Sequence, residues 1–408
     1  MSKSKVKVCI ATRTYFPVYA GPAIRFKNYL PGFKSRSIDP IIMTDQITEY
    51  SMNRDGSIST VKNYTENTRQ EVNMEKIDGI PVYRLNGNGN FTNKFVKYIL
   101  EKKPEIDLVH FLSLEQSAIP WLIRLRKNNI KTIFTNTLLS PLSKNKLRAF
   151  IQKRWRGSYY NYLDRVVVSS TAMKKDLLSL KIKTPIDIIP NGVNLSKFKP
   201  LDNSDQKIDI RKKLGLPTNK RIILSVGPIC PRKRSDHLIT SYSEIHNKFP
   251  DSYLVMVGSR HDINRPELKE FHNNIFSILK EKNAEEKVLF TGLVENVDEY
   301  MQAADLFVFT SSREGMPNVI PEAMATGLAV ITTPFLGLPD EFGAPGHEYL
   351  LTDWSVSKLA KDMSNLLTDD MKLNQLADTG CQWVRKKLNV EKSLDSYASL
   401  YRSIKNNE

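Results

Sequence analysis

Short apolar runs rich in β-branched residues recur along this chain, and helical patterns lie between them. In the first half they fall at 5–12 (KVKVCIAT), 39–45 (DPIIMTD), 79–85 (GIPVYRL), 105–113 (EIDLVHFLS), 131–136 (KTIFTN) and 164–170 (DRVVVSS). A second series follows at 221–227 (RIILSVG), 252–258, 287–292, 305–311 and 328–333. Runs that are apolar throughout suit strands buried on both faces, and helical spacers supply parallel crossovers. Between the two series, 185–205 carries Pro, Asn-Gly and a polar tail, which is turn and linker chemistry. The pattern predicts an α/β fold of two Rossmann-like, doubly wound parallel sheets facing a cleft. The polar stretch 48–75 reads as a long loop.

A chain of 408 residues suits two cores of about 200 residues each. No apolar run approaches the roughly 20 residues that span a bilayer, and the N-terminus lacks a signal-peptide pattern, so a cytoplasmic location is expected. Cys9, Cys230 and Cys381 are far apart and fit no metal or disulfide motif. Neither half has G-x-G-x-x-G after its first strand, and no P-loop occurs, which leaves nicotinamide, flavin and P-loop chemistry unsupported. The net charge of +16 speaks to partners rather than fold. It is unevenly spread: Gln116 to Leu163 holds no acidic residue and ten basic ones.

The most informative stretch is SSREGMPNVIPEAMATG, 311–327. A strand ends in a loop carrying Glu314, and a helix opens between Asn318 and Pro321 with Glu322 at its start. Backbone N–H groups at Met316, Asn318, Val319 and Ile320, with the helix dipole, suit a diphosphate. Gly315 permits the tight turn. A carboxylate on each side could accept hydrogen bonds from vicinal hydroxyls. Such an arrangement fits a nucleotide sugar: sugar, diphosphate, ribose. Either glutamate alone reads better as a helix-dipole complement (Glu322) or a surface loop acid (Glu314), whereas the pair in this strand–loop–helix context favours the ligand-binding reading. A second element, SVGPICPRKRSDHLI (225–239), places Arg232, Lys233 and Arg234 at another strand's carboxyl end, where they could neutralise phosphates.

With these residues in view, nearly the whole chain resembles the retaining glycosyltransferases of family four (glycosyl transferases group 1), which have the GT-B fold. YAGPAIRFKNYLPGF is similar to that family's glycine-containing N-terminal loop. DRVVVSSTAMKKDL with IPNGVNLSKFKP resembles the interdomain junction, and LSVGPICPRK the phosphate loop. SREGMPNVIPEAMATGLAVI matches its E-x7-E element, the most specific of the set. The resemblance implies an acceptor-side domain over 1–195, a nucleotide-sugar domain over 196–385, and a C-terminal helix in 386–408 crossing back to the first. It implies that Glu314 faces the donor sugar and Glu322 the ribose hydroxyls. Gly315, Met316, Pro317, Asn318 and Val319 would hold sugar and phosphate, Lys233 the diphosphate beside Gly227, and Gly21 would leave room for donor phosphates. Glu314, Lys233 and Arg232 are the catalytic candidates. The family's arginine after the glycine at Gly227 is Pro228 here, and Arg232 is its candidate substitute. A histidine expected after TIFTNT is absent, with Thr137 nearby; Thr137 and His110 are the acceptor-side candidates. No metal and no cofactor is expected.

For such an enzyme the resemblance implies same-face transfer of a hexose-type sugar from a nucleoside diphosphate sugar to a lipid-linked or growing glycan acceptor. Charge neutralisation and positioning would dominate. A nucleotide-sugar epimerase or hydrolase on the same frame is the enzyme alternative, and a basic binding protein the non-enzymatic one. In LSKNKLRAFIQKRWR (142–156), Leu147, Phe150, Ile151 and Trp155 fall at helical spacing among cations. This suits an interfacial helix on an anionic membrane, hence peripheral placement on its inner face, or a surface for a phosphorylated acceptor. The same pattern also suits a stripe packed on the core. No nucleic-acid motif accompanies the charge, and no nucleic-acid partner is expected.

Overall fold

The computed structural model describes all residues except 1–4, 17–20, 47–48, 53–57, 63–71, 87–89, 103, 140–144, 261–265 and 407–408. The chain divides into two units: Met1–Tyr50, Thr60–Gly192 and Val390–Glu408 form one, and Ser51–Ser59 with Val193–Asn389 the other.

Up to Ile188, strands and helices alternate as the pattern predicts except over residues 38–85, where five strands follow one another, and Ser51–Ser59 within that stretch belong to the second unit. The elements are β1 (Val6–Ala11), α1 (Gly21–Lys34), β2 (Ile38–Asp45), β3 (Glu49–Met52), β4 (Ile58–Lys62), β5 (Val72–Ile77) and β6 (Ile80–Leu85). After them come α2 (Phe91–Lys102), β7 (Leu108–Phe111), α3 (Ile119–Lys127), β8 (Lys131–Asn136), α4 (Lys146–Ser158), β9 (Arg165–Val168), α5 (Thr171–Ser179) and β10 (Ile186–Ile188). Eight strands form one sheet in the order β10-β9-β8-β7-β1-β2-β6-β5. All neighbours are parallel except β5, which pairs antiparallel with β6. Val8, Ile10, Val109, Val166 and Val167 are fully buried, as strands covered on both faces require.

Two expectations are corrected here. The stretch 48–75 is not a featureless loop: β3 and β4 make a two-stranded sheet, and β5 lengthens the large one. Residues 53–57 and 63–71 lie outside the described residues. The stretch 185–205 is not all linker, since β10 within it closes the sheet edge against β9. Three residues are too few for a period to show in sequence.

The second unit comprises α6 (Ser204–Lys213), β11 (Arg221–Val226), α7 (Ser235–Ser243), β12 (Ser252–Val257), α8 (Pro266–Glu281), β13 (Val288–Gly292) and α9 (Val297–Ala303). It continues with β14 (Leu306–Phe309), α10 (Val319–Ala325), β15 (Ala329–Thr332), β16 (Leu350–Leu351), α11 (Val356–Thr368) and α12 (Asp370–Lys387). Its six strands are parallel, in the order β13-β12-β11-β14-β15-β16. The order reverses between β11 and β14, and beyond the carboxyl ends of such a pair the exit loops part to leave a crevice.

The last helix, α13 (Val390–Lys405), belongs to the first unit and lies against α1. Arg36 pairs with Glu391 and Asp395 at 2.7 Å each, and Lys405 with Asp107 at 3.0 Å. Two of the boundaries between the units fall at Gly192/Val193 and Asn389/Val390. A Cβ on Gly192 would sit 2.5 Å from the Val390 Cα, so only glycine lets these two segments pass.

Candidate functional site

The site is built where β11 and β14 lie side by side. The exit loop of β11 turns through Pro231–Lys233 into α7, and that of β14 runs from Thr310 to Asn318 into α10. Hydroxyls sew the two loops together. Thr310 Oγ1 donates to the Lys233 and Arg234 carbonyls at 2.9 and 3.1 Å, and Ser312 Oγ to the Arg232 carbonyl at 2.9 Å. The Ser312 amide donates to the same Arg232 oxygen at 2.8 Å. On the other side, the Glu314 amide reaches the Leu336 carbonyl at 3.0 Å. The Glu314 backbone is thus clamped between two segments before its side chain does anything.

That side chain is the hub of a charged triad. Glu314 is 9% exposed. Its Oε1 accepts from Ser311 Oγ at 2.6 Å, pairs with Lys233 Nζ at 2.8 Å, and takes Arg232 Nη1 as well. Arg232 Nη1 also donates to the Arg313 carbonyl at 3.1 Å. Burial acts to raise the Glu314 pKa, but the charges of Lys233 and Arg232 outweigh it and hold the carboxyl below its usual range. Burial pulls the Lys233 ammonium down, against the attraction of Glu314. Lys233 Nζ lies 4.6 Å from the centre of the Phe309 ring, a cation–π contact that restrains it further. Two cations around one carboxylate leave one positive charge in excess at the carboxyl end of β11, the polarity that attracts phosphate.

Glycine makes room for this. Gly227 has φ +149°, and a Cβ there would meet Lys233 Cε at 3.2 Å. Gly258, at the end of β12, is tighter: its Cβ would fall 1.9 Å from the Gly227 carbonyl oxygen. Pro228, half-buried, occupies the position after Gly227, and the guanidinium of this loop that reaches Glu314 is that of Arg232.

Beyond Glu314 the turn Gly315, Met316 and Pro317 is buried, and Asn318 and Val319 are half-buried. Asn318 is the N-cap of α10 and makes no side-chain cap bond. Pro321 sits in the first turn, where its missing N–H costs nothing. Glu322 is half-buried in that turn and takes no side-chain hydrogen bond among the described residues. Burial pushes its carboxyl up to about 7; Lys197 opposes the rise and Asp298 adds to it. Lys197 and Asp298 are themselves paired at 3.3 Å. Glu322 is therefore a hydrogen-bond acceptor left without a donor, on the helix that follows the triad's loop.

The structure thus brings Arg232, Lys233 and Glu314 into direct contact, with Gly227 beneath Lys233. Sequence reasoning missed Ser311 and Ser312, although three hydroxyls in a row at 310–312, immediately after a strand, were a readable signal. It also missed Lys197, which comes from the stretch read as linker and carries no local mark.

The acceptor-side candidates belong to the first unit. His110 is corrected: it is fully buried in β7, with Nδ1 2.7 Å from the Tyr401 hydroxyl and Nε2 2.6 Å from Thr135 Oγ1. Both ring nitrogens are used by the protein, and burial, with Arg25 nearby, lowers its pKa to about 3. It is a neutral core histidine and not an acceptor contact. Thr137 is half-buried just past β8. Gly21 opens α1, and a Cβ there would meet nothing within 4 Å. The basic run 142–156 is α4 with its approach; residues 142–144 and the side chains of Lys146 and Phe150 lie outside the described residues. Its stripe does not pack on the core: Leu147, Ile151 and Trp155 are 69%, 58% and 62% exposed. Among the described residues no group of three or more His, Cys, Asp or Glu could hold a metal ion, and no helix is long and apolar enough to cross a membrane.

Two family models match the chain: glycosyl transferases group 1 over residues 206–383, and glycosyltransferase family 4 over residues 62–197. An uncharacterized glycosyltransferase of Methanocaldococcus jannaschii is 26% identical over 263 residues, 62% of this chain and 61% of that protein. The UDP-Gal:alpha-D-GlcNAc-diphosphoundecaprenol alpha-1,3-galactosyltransferase of Escherichia coli is 30% identical over 223 residues, 53% of this chain and 54% of that one. The matches span about 54–61% of the length of these two curated relatives. Among solved structures, sucrose-phosphate synthase of Thermosynechococcus elongatus superposes with a TM-score of 0.77 at 20% identity, covering 99% of this chain and 100% of that one. That likeness establishes the GT-B fold. Together with the two family models, it places the chain in family four of the glycosyltransferases, the glycosyl transferases group 1.

Proposed function

We propose that this protein transfers a hexose-type sugar from a nucleoside diphosphate sugar to a lipid-linked or growing glycan acceptor, with retention of configuration. The observation that carries the reading is the Arg232–Lys233–Glu314 triad at the β11/β14 reversal, followed on α10 by the unpartnered carboxylate of Glu322. In this reading the two cations hold the diphosphate, and the first N–H groups of α10 add to the attraction. Glu314 takes donor-sugar hydroxyls, and Glu322 takes the ribose hydroxyls for which it has no protein donor.

The bond from the sugar's anomeric carbon to the diphosphate oxygen breaks, and a bond from that carbon to the acceptor oxygen forms on the same face. The acceptor's proton passes to the departing phosphate oxygen. Lys233 and Arg232 stabilise the charge that grows there, in a site already arranged to receive it. Glu314 stays ionised throughout, so it orients and does not donate a proton. No metal is assigned a role, because basic side chains supply the positive charge.

The relative from E. coli is named for a UDP-sugar donor and a diphosphoundecaprenol-linked acceptor. That name supports a uridine donor and a lipid-linked acceptor as the first pair to try. The test is thermal stabilisation by UDP, GDP, ADP and CMP and by their sugars, with and without divalent metal. The best donor is then incubated with lipid-linked acceptors, and the product's anomeric configuration is read by NMR. Stabilisation by one diphosphate and a product with the donor's own configuration are expected. No stabilisation by any nucleotide, or an inverted product, overturns the reading.

A further inference from the structure

The exposed face of α4 is composed the wrong way round for a helix that borders water. Among its described side chains Leu147, Arg148, Ile151, Arg154 and Trp155 are exposed, while Gln152, Lys153 and Arg156 are half-buried. Leu147, Ile151 and Trp155 stand at i, i+4 and i+8, so they share one stripe along about 12 Å of helix. Arg148 borders the stripe on one side and Arg154 on the other, by the 100° step of a helix.

The face is presented by a fixed element. Asn145 caps the helix, its side chain accepting from the Leu147 and Arg148 amides at 3.0 and 3.1 Å. At the far end Gly157 is pressed so closely to the Leu180 carbonyl that a Cβ would lie 2.7 Å from it. On the flank, the charges of Arg156 and Lys153 both act on the half-buried carboxyl of Asp176 in α5. The surrounding sequence adds charge of one sign only, since no acidic residue lies between Gln116 and Leu163.

We propose that this face of α4 is a docking surface for an anionic lipid bilayer, lying flat in the headgroup layer with Leu147, Ile151 and Trp155 in the acyl boundary. Apolar groups flanked by arginine suit that boundary, because a guanidinium reaches lipid phosphates while its stem stays with the apolar groups. An acidic protein surface would meet the arginines but leave three large apolar side chains uncompensated. The proposal does not rest on the transferase reading.

The test is flotation of the full chain with phosphatidylcholine vesicles, with or without a quarter phosphatidylglycerol, at several salt concentrations and with no sugar nucleotide or acceptor present. Binding is expected on the anionic vesicles, falling with salt. Arg148→Gln with Arg154→Gln is expected to weaken it on the order of thirtyfold, from about fivefold per cation near such a surface. Leu147→Ser, Ile151→Ser and Trp155→Ser together are expected to lower it by roughly tenfold or more, with most of the loss persisting at high salt. All five side chains are exposed, so thermal midpoints should stay at the wild-type value. Equal binding to both vesicle types, no binding, or variants that bind like wild type would overturn the proposal. So would a concentration-dependent dimer that the triple variant abolishes while vesicles are ignored; the face would then seat a second copy of the chain. Because the assay holds no donor, its failure leaves the transferase reading to be judged by nucleotide binding alone.

Discussion

Replacing Glu314 by Gln keeps the shape of the side chain and removes the charge between Lys233 and Arg232. The side chains of the three residues are only 11–14% exposed, so the two cations would face each other with little water between them. Removing one partner of a buried ion pair costs about 3–5 kcal/mol. The amide oxygen still accepts from Ser311, so about 3 kcal/mol is the expectation for Glu314→Gln. For a unit of this size that corresponds to a midpoint roughly 6–12 °C lower. The sign then reverses with an anion. Loss of one negative charge beside the cations that would hold the phosphates, at an effective dielectric of about 20, should tighten pyrophosphate binding on the order of tenfold or more. Sugar transfer should nevertheless be lost. Scanning calorimetry with and without pyrophosphate, followed by a transfer assay, reads all three. An unchanged midpoint together with weaker pyrophosphate binding would refute the reasoning, because the cations would then not be poised for phosphate. Acid should act in the same direction on the wild type. The folded-state pKa of Glu314 lies below its unfolded value, so the carboxylate's contribution is present above that unfolded value and lost as pH falls through the folded one.

Glu322 carries the opposite sign. Its pKa is raised to about 7, so its stabilising effect is complete below the usual carboxylate range and gone once pH passes 7. Glu322→Gln should therefore match wild type in stability near pH 5 and exceed it by about 2 kcal/mol at pH 8. Because only the carboxylate accepts both ribose hydroxyls well, nucleotide affinity of the wild type should rise between pH 6 and 8. In the variant it should be flat and about tenfold weaker at pH 8, by titration calorimetry. Lys233→Ala should lower kcat on the order of a hundredfold or more, measured as sugar transfer at saturating donor; a fall in affinity alone would make Lys233 a ground-state contact only. Gly258→Ala would force a Cβ to 1.9 Å from the Gly227 oxygen, whereas Gly292→Ala meets nothing within 4 Å and is strained only by its φ of +74°. The first should cost about 3 kcal/mol or more and the second about 1–2 kcal/mol in denaturant unfolding, and equal costs would mean that β12 shifts freely.

The alternation of apolar β-branched runs with helices was plain in the sequence, because strand and helix periods are written in adjacent residues. So was the E-x7-E element, since Glu314, the Gly315–Asn318 turn and Glu322 are contiguous. The helix start between Asn318 and Pro321 was readable for the same reason. Tertiary structure alone decided that Arg232 and Lys233 meet Glu314 some 82 residues away, since that depends on β14 lying beside β11. No local pattern encodes strand order. Burial was decided the same way. A histidine at the end of an apolar run looks identical in sequence whether it faces solvent or, like His110, is closed between Thr135 and a tyrosine of the last helix. An apolar stripe at helical spacing likewise says that a helix has a greasy face, and not which way it points. Only the packing of α4, through Gly157 and the flank facing Asp176, turned Leu147, Ile151 and Trp155 outward. Spacing along the chain determines which residues share a face; what covers that face is settled by elements far away in sequence.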